Sequence, residues 1–261
     1  MAGYQDYLLH LADNALILAQ RNAEWCGHGP ILEEDLALGN NALDLIGQAR
    51  MLYQHVATVR KDGKSSEDLL AFFRDVPDFK NYTLLELPHR TAILPTSAGD
   101  RDYGVTMARN FLFSALMVQV WGALEKSSDA QLAAIAAKSH KEVQYHLRHA
   151  HDWVLRLGDG TEESHRRMQA AFDYLMPFTQ EFWTESAMET AAVKTGAGVD
   201  VRAFRAEWEA TVADTLQAAT LKLPSSVGFV TTGKFGVHSE HLGFVLAEMQ
   251  SLARAHPEAV W

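Results

Sequence analysis

The sequence predicts an all-α protein, and three features point there. Apolar residues recur at intervals of three and four over four long stretches, strand-like alternation is scarce, and most glycine and proline residues fall between the stretches.

A first helix is expected from Tyr4 to Glu24, with Leu8, Leu11, Ala15 and Leu18 on one line. The run from Cys26 to Pro30 breaks it, and Pro30 suits the opening of a new helix. The second helix, Leu32 to Arg60, carries two apolar lines. One is Leu32, Leu36, Gly39, Leu43 and Ile46; the other is Leu38, Ala42, Leu45, Ala49, Leu52 and Val56. Two lines predict packing against more than one neighbour. Residues 62–102, rich in proline and glycine, form a crossover with one short helix from Glu67 to Arg74. A third helix is expected over Tyr103–Lys126 and a fourth over Ala130–Leu157, stopped by Gly158 and Gly160. A fifth runs from the N-cap Thr161 to Glu189 with a bend at Pro177. A sixth covers Val201–Thr220, residues Leu223–Gly236 form a loop, and a last helix spans Ser239–Ala255. Two long helix pairs joined by a long crossover, with extra helices after them, make a ferritin-like four-helix bundle, here one domain over residues 1–261.

Composition narrows the function classes. A hydrophobic share of 48% with 21% charged residues fits a folded chain rather than a disordered one. A net charge of -10 argues against nucleic acid as a partner. The single cysteine, Cys26, excludes an internal disulfide framework and suits a reducing compartment. No run is apolar enough to span a bilayer, and the stretch from Met1 to Leu18 has no basic n-region, so a cytoplasmic protein is expected.

Bundles of this kind hold dinuclear iron with one Glu from each of two helices and a Glu-x-x-His pair from each of the other two, because three residues apart shares a face. That spacing occurs at Glu86–His89, beside Pro88, and at Glu162–His165, in a helix start; neither suits a bundle core. Polar residues do line the second helix (Asn41, Asp44, Gln48) and the fourth (Ser139, Glu142, His146, His149). Opposite His146, however, the partner position holds Val143, and Glu142 is about 100° out of phase. A buried network of Asp44, Glu142 and His146 without metal is therefore expected. The alternatives are an iron-dependent oxidase using those residues, or a stand-alone ferritin-like binding protein. A second cluster, Lys234, His238, Glu240 and His241, is weak as a zinc site. It reads as an accessible, locally basic loop for a partner or an acidic group such as a CoA phosphate.

Several runs give the chain a specific resemblance. These are Glu24 to Pro30 (EWCGHGP), Leu36 to Arg50 (LALGNNALDLIGQAR), Lys141 to Arg148 (KEVQYHLR), Thr232 to Leu242 (TGKFGVHSEHL) and Leu246 to Gln250 (LAEMQ). They closely resemble the C subunits of bacterial phenylacetyl-CoA 1,2-epoxidases, over essentially the whole chain. The resemblance implies a structural subunit with no cofactor of its own, beside a homologous A subunit that holds the di-iron centre and epoxidises the substrate with O2. It also implies a reductase drawing on NADPH and a small bridging B subunit. Set against the A-subunit pattern, the ligand positions fall at Ala15, Leu45, Gln48, Val143 and His146, with a further carboxylate position near Ser114. Of these only His146 keeps a ligand type.

Overall fold

A computed structural model describes residues 2–90, 101–224 and 228–259. Residues 91–100 of the expected crossover and 225–227 of the expected loop lie outside these residues. The fold is all-α and ferritin-like. Among the described residues the only extended pairing is one isolated bridge between Thr232 and Val237.

The helices are α1 (Ala2–Ala23), α2 (Leu32–Arg60), α3 (Glu67–Phe72), α4 (Thr83–Glu86), α5 (Tyr103–Leu124), α6 (Ala130–Gly158), α7 (Glu162–Leu175), α8 (Ala187–Lys194), α9 (Arg205–Ala218) and α10 (Glu240–Ala255). They gather into two compact units: Met1–Leu87 with Glu185–Gly198 and Thr231–Trp261, and Pro88–Thr184 with Val199–Val230.

In the first unit the short turn after α1 returns the chain so that α2 packs along it. Leu8, Leu11, Ala15 and Leu18 of α1 and Leu38, Ala42, Leu45, Ala49, Leu52 and Val56 of α2 are all buried. In the second unit α5 and α6 pair in the same way, with α7 and α9 against them. Side chains of Asp102, Asp129 and Thr161 accept backbone N–H groups at the starts of α5, α6 and α7, satisfying donors that have no intrahelical partner. Trp208 donates its indole N–H to the Leu112 carbonyl at 2.9 Å and meets Trp183 edge-on at 5.4 Å, which ties α9 to α5.

The expected fifth helix is broken rather than bent. Pro177 lacks an N–H and crowds the preceding turn, so α7 stops at Leu175 and residues Met176–Trp183 continue as a tighter 3₁₀ segment. The next helix, α8, has its own cap, the Ser186 side chain on the Glu189 amide.

Candidate functional site

The positions that the resemblance sets against iron ligands face the interior of their own units. Ala15, Leu45, Gln48, Ser114, Val143 and His146 are all at least nine-tenths buried. Three of them have no donor atom at all. Asp44 and Glu142, one residue from the inward positions, sit at the half-buried margins of their helices. Glu142 takes an ion pair from Lys138, one turn earlier on α6. Among the described residues no three His, Cys, Asp or Glu side chains cluster in a way that would hold a metal ion. The residues present do not fit a di-iron centre.

The second line of α2 departs from expectation. Leu32, Leu36 and Leu43 are 72%, 60% and 67% exposed, and Ile46 is 37% exposed. Nothing lies within 4 Å of a Cβ built on Gly39, in the middle of this line. Two apolar lines predicted two neighbours, and the described chain covers only one of them. The steps from Leu32 to Ile46 are four, three, four and three, the seam spacing of helices that pack knobs into holes.

The loop before α10 needs a larger correction. It is not a free basic patch. Lys234 is 1% exposed and its ammonium meets the Glu189 carboxylate at 3.1 Å. His238 is enclosed with Glu86: Nδ1 lies 2.8 Å from Glu86 Oε2, and Nε2 lies 2.9 Å from the Phe79 carbonyl. Both ring nitrogens face oxygen acceptors, so an imidazolium satisfies both. Glu86 also accepts the Ser239 amide at 2.6 Å and the Asn81 side-chain amide at 3.0 Å. Ser239 caps α10 as expected, His241 is buried, and only Glu240 of the cluster is exposed. The basic character vanished because each cation found a buried carboxylate distant in sequence.

Comparison with known proteins matches residues 2–261 to the family described as phenylacetic acid catabolic protein. The chain belongs to this family. It is 44% identical over 255 residues to the C subunit of the 1,2-phenylacetyl-CoA epoxidase of Escherichia coli (strain K12), with 98% of each chain covered.

This family member also holds a buried polar cluster that its spacing did not disclose. Asp13, wholly buried on α1, receives the Arg74 guanidinium in a two-pronged ion pair, the Tyr53 hydroxyl at 2.6 Å and the Lys80 amide at 2.8 Å. Arg74 in turn lies over the Phe79 ring, 4.2 Å from its centroid. Burial, with Asp13 beside it, raises the Tyr53 phenol well above its usual range. Arg21 donates to the Glu86 carbonyl and to Glu24, capping the end of α4. The expected Glu86–His89 pair is thereby accounted for on Glu86's side by His238. His89 Nδ1 meets Arg109 at 2.7 Å and Thr106 at 2.6 Å. His165 donates to the Gly158 carbonyl at 2.7 Å, closing the turn between α6 and α7.

One turn before Asn14, His10 is neutral by geometry. Asn14 Oδ1 accepts the Tyr82 amide at 2.8 Å, so its Nδ2 is the end turned to His10 Nε2 at 3.3 Å, and Nδ1–H donates to the Lys80 carbonyl at 2.6 Å. Burial pushes the His10 pKa down to about 4, against the raising pull of Glu189. As pH falls below about 6.5 the unfolded chain takes up this proton and the native chain does not, so native stability declines until about pH 4. From pH 7 to pH 4.5 the loss from this group is expected to be about 2 kcal/mol. Denaturant titrations of wild type and His10→Gln at both values check it; an equal pH dependence in the two proteins would contradict it.

Proposed function

We propose that this chain is the non-catalytic, structural subunit of a cytoplasmic phenylacetyl-CoA epoxidase. It pairs with a homologous A subunit that holds the di-iron centre, in a complex completed by a small bridging subunit and an NADPH-dependent reductase. The observation that carries this reading is the exposed seam of α2. A line of leucines and isoleucine at four-three spacing is solvent-exposed on a helix whose other apolar line is fully buried. Such a line fits a helix of another subunit, with Gly39 allowing close approach at its centre. The inward-facing positions support the other half of the reading. A chain with Ala15, Leu45 and Val143 where ligands would stand contributes by contact and not by redox chemistry.

Metal content tests the non-catalytic half. The chain purified alone under air is expected to carry far less than one iron per molecule by elemental analysis. Close to two equivalents, with the absorption of an oxo-bridged pair, would make it an oxidase in its own right and sink the structural reading.

A further inference from the structure

The turn between Thr232 and Ser239 is held more firmly than a surface turn requires. Both of its flanks are fastened by buried ion pairs, Lys234 to Glu189 on one side and His238 to Glu86 on the other. Burying two such pairs is costly in desolvation, and ordinary turns are closed by backbone hydrogen bonds alone. The backbone is laid flush on the segment before α4. A Cβ on Gly233 would fall 2.6 Å from the Asn81 carbonyl oxygen, and one on Gly236 would fall 2.4 Å from that of Pro77. Gly236 also sits at φ 84, the left-handed region that favours glycine. The Thr232–Val237 bridge closes the loop.

The residues this frame displays are apolar. Phe235 is 44% exposed and Val237 is 66% exposed, on either side of Gly236. Phe244, 66% exposed, stands one turn into α10 on the same line as the exposed Glu240. The exposed charges along this edge are acidic, Glu240 at the start of α10 and Asp78 next to Pro77, while the nearby cation Lys234 is buried and neutralised.

We propose that the Phe235–Gly236–Val237 tip is a second, preorganised docking point, which inserts into an apolar pocket bordered by Lys or Arg on a further protein subunit of the same complex. The inference rests on the reading of this chain as part of a complex, but concerns a different surface from the α2 seam. The two ion pairs are the frame and not the contact. Fixing the tip in advance removes the ordering cost that a mobile loop would meet on binding. The acidic border selects a basic rim and makes the association salt-sensitive.

The test is co-expression of affinity-tagged chain with the catalytic, bridging and reductase subunits, followed by native mass spectrometry of the captured complex. The double variant Phe235→Ser with Val237→Ser changes only exposed side chains, so its melting temperature is expected to match wild type. It should keep the partner bound through α2 and bind one further component at least tenfold more weakly. In wild type, that component's affinity should fall as salt is raised. The proposal is overturned if the variant captures every component as wild type does, if wild type captures only the α2 partner, or if the variant's melting temperature falls by several degrees. Failure of the α2 reading shows separately, as an α2-seam variant that still captures its partner as wild type does.

Discussion

Replacing Asp13 with alanine is expected to destabilise the protein by about 3–5 kcal/mol, because it strands a buried guanidinium without its counter-ion. Arg74 would keep only its contacts with carbonyls and aromatic faces, and Tyr53 and the Lys80 amide would each lose an acceptor. For a chain of this length that corresponds to a drop of roughly 10 °C in melting temperature. Thermal unfolding followed by circular dichroism checks it. Asp13→Asn, which preserves shape but not charge, should fall between wild type and alanine. A melting temperature within a degree or two of wild type for Asp13→Ala would mean that the α1–Arg74 connection is not what fastens the residues after α3 to the first helix.

Much of the fold was legible in the sequence, because helix limits are local matters. The bounds of α2 follow from the Pro30 break and from its inner apolar line, which runs from Leu38 to Val56, one turn short of the helix end at Arg60. Those of α6 follow from Asp129 as cap and Gly158 as stop. The break after Leu175 was harder to see, since Pro177 is compatible with either a kink or an end, and the cap that decides it, Ser186, lies nine residues on. On α6 the phase separated Val143 and His146, which face inward, from Glu142, which pairs with Lys138 at the margin rather than lying in the buried network expected for it.

The charge cluster was not legible for the opposite reason. Each of its pairs joins residues far apart in the chain, Asp13 with Arg74, Glu86 with His238 and Glu189 with Lys234. Nothing in the spacing around Lys234 marks it as buried. A lysine between glycine and phenylalanine in a polar loop has the appearance of a surface cation, and only the arrival of Glu189 from α8 makes it an interior one. A signal was present in the two glycines, Gly233 and Gly236, whose missing side chains imply close backbone approach. His10 was equally silent, since a histidine on an otherwise apolar helix line shows its partner only when Lys80 and Asn14 are placed around it.

The α2 seam carries the largest effect expected outside the core. In a helix–helix contact, leucines at the centre of the seam are the residues whose loss costs most, and a carboxylate in their place must also be desolvated. Leu36→Glu together with Leu43→Glu should therefore weaken pairing by a factor of roughly a thousand. Because both side chains are more than half exposed in the isolated chain, the variant should fold with its stability little changed.

Size-exclusion chromatography of the chain co-expressed with a catalytic epoxidase subunit, for wild type and for this double variant, is the most direct test of the proposed pairing. The expected result is co-elution of the wild-type pair as one species, and two separate peaks for the variant, each with the circular dichroism of a folded protein. Co-elution of the variant pair as in wild type, or separate elution of the wild-type chains, would contradict the account.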